Sequence, residues 1–268
     1  MIQNKNIVLT GCNSGIGYEV LKLFLEGNNR VLCVDKDTWN LDKLGNSNAI
    51  IMQQDVSSKE GVDAVFERAE KEFDFIDIFY ANAGYPYYEE IDYVDWDRTA
   101  SMFETNVFSP IYSYEKYREY LNGRKGIMAI TVSAIGTMAM PGFTIYSASK
   151  FAMHGFQQGL RLELPKNIQL TCLYPIATNT NFFYTANPIK FFKPFPVQQP
   201  DHVAKCMVRG IEKGTAEVSP SKLFDFAIQL MKFVPIVRTL YWDAEKVKFE
   251  IYKKDKKKAN PPPSKKVY

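Results

Sequence analysis

Thr10-Gly11-Cys12-Asn13-Ser14-Gly15-Ile16-Gly17 lies where a short apolar run, residues 6–10, gives way to an amphipathic one, residues 15–26. A strand that ends on a glycine turn and hands over to a helix is the opening half of a βαβ unit. Gly11 permits the tight turn, Gly15 lets the backbone approach a pyrophosphate, and Gly17 lets helix and strand pack closely. A phosphate held there meets free N–H groups and the positive end of the helix dipole. Thr10, Gly11, Asn13, Ser14, Gly15, Ile16 and Gly17 are therefore the candidate contacts for a dinucleotide. A glycine triplet alone is weak evidence; an acid after the second strand strengthens it. That acid is Asp35, following the apolar run 30–34. Its carboxylate can accept both ribose hydroxyls of NAD and repels the 2′-phosphate of NADP, so NAD is expected over NADP. Ser14 stands where a basic residue would hold that phosphate, although Lys36 is adjacent.

The same alternation continues outward. Further strand candidates cover residues 49–53, 76–80, 126–132, 169–173 and 216–218, with helix-like segments at 58–71, 96–121, 146–164 and 201–213 between them. The strands are apolar throughout rather than alternating, the pattern of strands covered on both faces. Strand–helix repetition implies right-handed crossovers and a parallel sheet. The expected architecture is α/β: a doubly wound Rossmann fold, a parallel seven-stranded sheet flanked by helices on both faces, in a single domain over residues 1–245.

Two segments break the alternation. Residues 178–200 carry four prolines and five phenylalanines, Phe182, Phe183, Phe191, Phe192 and Phe195, without periodicity. Residues 221–241 read as a helix that Pro235 kinks or ends, covering a pocket or a subunit contact, with an anionic membrane surface as the alternative. Behind it residues 246–268 hold nine Lys against Glu250 and Asp255, and this lysine-rich tail is expected to be disordered.

The whole chain carries +3, so residues 1–245 carry −4 and the tail +7. A basic tail on a mildly acidic body argues against a nucleic-acid-binding fold. Cys12, Cys33, Cys172 and Cys206 are scattered, without CxxC spacing, and His154 and His202 have no ligand-spaced partners, so no metal is expected. With no signal-like start and no long uncharged stretch, a cytoplasmic protein is expected, with peripheral membrane contact through 221–268 as the alternative.

Several positions together resemble the short-chain dehydrogenase/reductase family, over residues 10 to about 214. The glycine loop has that family's Thr-Gly-x3-Gly-x-Gly spacing, Asn82-Ala83-Gly84 resembles its turn after the fourth strand, and Asp55-Val56 resembles its adenine-contacting pair. Asn106, Ser133, Tyr146 and Lys150 resemble its catalytic tetrad. Four Tyr-x3-Lys matches exist in the chain, but only Tyr146/Lys150 has a serine 13 residues upstream at the end of a buried strand.

The chemistry fits the residue types. A phenol titrates near 10, and Lys150 one helical turn on, together with the positive nicotinamide of an oxidised cofactor, is expected to lower it toward a useful base. Ser133 would stabilise charge on the substrate oxygen. The resemblance further implies that Lys150 holds the nicotinamide ribose, that Asn106 positions a water, and that Pro175, Thr178 and Thr180 contact the nicotinamide end. Ile176 departs from the family's Pro-Gly, which predicts altered backbone or a narrower pocket. The implied function is reversible NAD(P)-dependent interconversion of a secondary alcohol and a ketone. Phenylalanines at 178–200 and Tyr85–Tyr88 predict a hydrophobic substrate such as a steroid, retinoid or lipid. The competing reading is a non-catalytic dinucleotide-binding sensor or scaffold. A homodimer or homotetramer through the helices of Asn106 and Tyr146 is implied by the resemblance alone.

Overall fold

The computed structural model describes residues 2–92, 94–183 and 193–259. Seven parallel strands, β1 (Asn6–Thr10), β2 (Arg30–Asp35), β3 (Ala49–Gln53), β4 (Ile78–Ala81), β5 (Gly126–Thr131), β6 (Ile168–Leu173) and β7 (Glu217–Val218), form one sheet in the order β3-β2-β1-β4-β5-β6-β7. The winding reverses between β1 and β4, and in such sheets ligands bind outside the carboxyl ends of the strands at that reversal.

Successive residues of each strand serve opposite faces. Ile7 and Leu9 join a buried cluster with α1 (Gly15–Glu26) and α6 (Pro200–Lys213), through Val20, Phe24, Val203 and Met207. Val8 joins the cluster on the other face, with α2 (Lys59–Glu72), α4 (Ser109–Leu121) and α5 (Thr144–Glu163), through Val65, Tyr117 and Met153. The sheet is thus buried on both sides, which is why its strands lack polar alternation.

The differences from expectation have local causes. The strand expected to start at residue 76 starts at Ile78, because the Ile76 amide donates to the Tyr120 hydroxyl and its carbonyl accepts from Tyr117. The helix expected over 96–121 is α3 (Trp96–Phe103), a π-helical turn (Glu104–Phe108) and α4 in succession. Pro110 has no N–H to give the Asn106 carbonyl four residues back, so the helix widens there. Beyond β7, α7 (Lys222–Phe233) is followed by α8 (Pro235–Ala259), with the break at Val234-Pro235.

The expectation of a disordered tail is corrected as far as Ala259; residues 260–268 lie outside the described residues. Helix α8 is anchored rather than free. Tyr252 packs its ring 4.7 Å from that of Tyr88, the Trp242 indole donates to the Ala139 carbonyl, and Lys253 pairs with Glu90. Tyr88, Tyr252 and Trp242 belong to a third apolar cluster that also holds Met102, Met138, Phe143, Tyr146 and Met231.

Candidate active site

One cavity of about 700 Å³ runs from the glycine turn after β1 to the aromatic cluster under α7 and α8. At its first end it is lined by Gly11, Asn13, Ser14, Gly15, Ile16, Gly17, Asp35, Asp55, Val56, Asn82, Ala83 and Gly84. A Cβ on Gly11, whose φ is +68°, would stand 2.6 Å from Ala83 Cα, so the two turns touch backbone to backbone. Thr10 does not line the cavity. Its hydroxyl instead accepts the amides of Asn82 (3.1 Å) and Ala83 (3.2 Å). Asn82 donates to the carbonyls of Thr10 (3.2 Å) and Gly11 (2.8 Å) and accepts from Thr131 (2.9 Å), bolting β1, β4 and β5 together.

Asp35 accepts the Asn13 amide at 2.9 Å, and its partial burial pushes its carboxyl above the usual carboxylate range. Asn13, which lines the cavity, turns its side-chain oxygen to the amides of Asn40 and Leu41, so its side chain fixes the loop after β2. Sequence reasoning missed Trp39, a half-exposed indole in the same wall. Nothing in its spacing signals it.

The middle of the cavity gathers Ser133, Tyr146 and Lys150. Ser133 follows β5 with φ +134°, ψ +146°, a conformation a non-glycine residue holds only when its surroundings over-determine it. Its hydroxyl accepts from the Ile135 amide at 3.3 Å and donates to the Pro175 carbonyl at 3.4 Å, and it shares the cavity wall with the Tyr146 phenol. Tyr146 and Lys150 lie a turn apart on α5, both buried. The Lys150 ammonium donates to the Thr131 carbonyl at 3.2 Å and sits 5.8 Å from the centre of the Tyr146 ring.

In the free protein Lys150 by itself does not acidify Tyr146. Burial pushes the phenol above its ordinary value, opposed only by the neighbouring Ser133 hydroxyl, and burial pushes the Lys150 ammonium down to about 8. Removing both groups from water disfavours each charged form, and at this separation that effect wins.

Asn106 does not line the cavity. Its carboxamide accepts the Tyr85 amide (3.0 Å) and donates to the Tyr85 carbonyl (2.9 Å) and Ser149 hydroxyl (3.2 Å), so it ties the strand-β4 turn to α5. Gly84 packs between Asn106 and Lys150: a Cβ there would be 3.0 Å from the Asn106 oxygen and 3.6 Å from the Lys150 nitrogen.

Pro175, Ile176, Thr178 and Thr180 close the cavity from the β6 side. Ile176 is not among the residues with positive φ, so its backbone needs no glycine; its carbonyl accepts the Thr178 hydroxyl at 2.8 Å. Thr180 lies over the glycine turn, 3.3 Å from where a Gly15 Cβ would sit.

The far end is apolar. Tyr85, Tyr87, Met138, Met140, Phe143, Phe182, Phe195, Phe224 and Tyr241 line it, and Phe182 packs edge-on to Tyr146 at 6.0 Å. Of the expected residues, Tyr88 is buried behind this wall, and Phe191 and Phe192 lie outside the described residues. Met138, Met140 and Phe143 went unforeseen, being scattered apolar residues without local pattern, whereas Phe224 and Tyr241 belong to the segment 221–241 expected to cover a pocket.

The donor set and the glycine cradle fit a dinucleotide: backbone amides at a helix start for phosphate, an acid after β2 for ribose, and Asp55 and Val56 beside the outer pocket. Comparison with known proteins agrees. The short chain dehydrogenase family matches residues 5–189. An uncharacterized oxidoreductase of Staphylococcus saprophyticus is 27% identical over 187 residues, 67% of this chain and 76% of its own. The oxidoreductase calM of Penicillium decumbens is 30% identical over 190 residues, 66% of this chain and 62% of its own. Among solved structures, a short-chain dehydrogenase/reductase from Burkholderia phymatum in complex with NAD superposes with a TM-score of 0.77 at 18% identity, covering 89% of this chain and 97% of that one. A short-chain dehydrogenase from Sphingobium yanoikuyae in complex with NADPH gives 0.74 at 22% identity, covering 82% and 89%. The chain belongs to the short-chain dehydrogenase family, and is an oxidoreductase of that class.

Proposed function

We propose that the protein interconverts a hydrophobic secondary alcohol and its ketone, with NAD preferred over NADP and Tyr146 as the proton-transferring acid and base. The observation that carries this is the gathering of the Ser133 hydroxyl, the Tyr146 phenol and the buried Lys150 ammonium at the waist of one cavity, between a glycine cradle and an apolar chamber.

Gly11, Gly15, Ile16 and Gly17 would hold the pyrophosphate, Asp35 the adenosine ribose, Asp55 and Val56 the adenine, and Lys150, Pro175, Thr178 and Thr180 the nicotinamide end. When bound, the nicotinamide dinucleotide supplies the two-electron acceptor or donor. The protein's own part is the proton. In the reductive direction the Tyr146 hydroxyl, kept protonated by burial, gives its proton to the ketone oxygen while Ser133 donates to the same oxygen. In the oxidative direction Tyr146 would first release its own proton and then, as the phenolate, take the alcohol proton; the Lys150 ammonium and the positive charge of an oxidised nicotinamide would favour that charged form. Asn106, through Tyr85 and Ser149, positions the elements bearing these groups. Subunit association through α4 and α5 is part of this reading, and exposed Phe108, Phe151 and Leu162 support it.

Replacing Tyr146 by Phe tests the mechanism. Turnover of a ketone panel should fall about 10³-fold with dinucleotide affinity by calorimetry unchanged; unchanged turnover would refute Tyr146 as the acid, and would leave only a binding protein if no turnover exists in either form. Asp35→Ala tests the cofactor preference: the ratio of NADP to NAD affinity should rise about thirtyfold, as removal of about 2 kcal/mol of repulsion requires.

A further inference from the structure

Helices α7 and α8 are apolar on two sides. On α7, Phe224, Ala227, Ile228 and Met231 turn into the aromatic cluster, while Leu223, Phe226, Leu230 and Phe233 are exposed on the opposite stripe. On α8, Val237, Tyr241, Phe249 and Tyr252 face inward, while Ile236, Leu240, Val247 and Ile251 are exposed at one-turn and two-turn spacing. At the junction of the two helices Phe233 is 84% and Ile236 58% exposed. Phe195, 68% exposed, adjoins them: its carbonyl accepts the Tyr241 hydroxyl at 3.0 Å. Soluble proteins rarely leave so many large apolar side chains in water along two successive helices.

The charge around the stripe selects its partner. From residue 246 to 258 there are seven lysines against Glu250 and Asp255, a local +5. The ion pairs of α8 engage Lys246, Lys248 and Lys253, which leaves Lys254, Lys256, Lys257 and Lys258 beyond them. A second copy seated on this face would bring the same positive charge against it. An anionic lipid surface offers both an apolar interior for the aromatic and aliphatic side chains and negative charge for the lysines. No helix among the described residues is long and apolar enough to cross a membrane, so contact would be in the interfacial plane.

We propose that the exposed stripe of α7 and α8, with the lysines of α8, is a docking surface for an anionic lipid bilayer. Phe224 of α7 and Tyr241 of α8 also line the cavity, so docking would set the apolar chamber directly behind the membrane-facing helices. The surface stands on its own observations and does not depend on the catalytic reading.

The test is flotation of the full chain with vesicles of phosphatidylcholine, alone or with about 30% phosphatidylglycerol. Binding is expected only to the mixed vesicles and should weaken at about 0.5 M salt. Phe226→Glu with Phe233→Glu should reduce partitioning at least about tenfold, and Lys254, Lys256, Lys257 and Lys258 all changed to Glu should do the same. Unchanged far-ultraviolet circular dichroism and dinucleotide binding would confirm that these surface variants fold. No flotation, equal binding to neutral vesicles, or undiminished binding by both variants would overturn the proposal. So would a dimer by sedimentation that the phenylalanine substitutions dissociate, since the stripe would then be covered by a second copy.

Discussion

The two ends of the cavity are built in opposite ways. At the glycine-turn end, position is fixed by hydrogen bonds among Thr10, Gly11, Asn82 and Thr131, with Asp35 held by the Asn13 amide. At the far end it is fixed by ring contacts: Tyr85 with Tyr87 at 5.4 Å, Phe143 with Tyr146 at 6.1 Å, Tyr146 with Phe182 at 6.0 Å. Hydrogen bonds are directional and lose their value when a donor shifts, whereas apolar contacts are individually weak and tolerate repacking. The first end should therefore accept one ligand shape and break under small changes. The second should accept a range of apolar shapes and degrade gradually.

The sharpest way to break this contrast is Gly17→Ala. A methyl there would fall on the Gly11 carbonyl oxygen and within 2.5 Å of the Asn82 side-chain nitrogen, both parts of the rigid turn. Overpacking of backbone against backbone should cost about 3 kcal/mol of stability and abolish measurable dinucleotide binding. Denaturant titration and calorimetry together check it. A variant with near-normal stability and affinity would show that the first end is as compliant as the second.

That contrast also explains what was legible in the sequence. The turn end depends on glycines, an acid and an asparagine at fixed offsets from strand ends, so residue type and spacing carry its geometry. The far end depends on contacts such as Trp242 with Ala139, 103 positions apart, and Lys253 with Glu90, 163 apart. No local pattern encodes those, and the order of α8 was missed for the same reason: its lysines read as a solvated tail, while its inward Phe249 and Tyr252 acquire meaning only against Tyr88. The π-helical turn at Asn106 was in principle legible from Pro110, four residues on. The protonation of the waist was not, because burial rather than sequence neighbours sets it.

Lys150 stands where the two ends meet, and its charge gives a smaller test. Its ordinary value is 10.5 and burial lowers it to about 8 in the folded protein. Between these values the unfolded chain binds more protons than the folded one, so unfolding free energy rises with pH across this window. The slope approaches about 1.4 kcal/mol per pH unit, giving a gain of about 2 kcal/mol between pH 8 and the onset of tyrosine ionisation near 10. Lys150→Met should flatten that rise in chemical denaturation measured at about pH 7.5 and 9.5. An identical pH dependence in both proteins would place the Lys150 ammonium in contact with water.

The smallest effect belongs to the apolar chamber. Phe224 lines it from α7, and no hydrogen bond made by its side chain helps to shape the pocket. Phe224→Ala should raise KM for bulky apolar ketones about tenfold, the loss expected when one ring's contact area leaves a compliant pocket. Small ketones, which cannot reach α7, should be affected less than about twofold, and dinucleotide affinity not at all, because the hydrogen-bonded end shares no contact with this ring. If bulky and small ketones lost affinity alike, Phe224 would be acting through the fold of the whole site. The cavity would then be a single mechanical unit rather than a rigid cradle joined to a soft chamber.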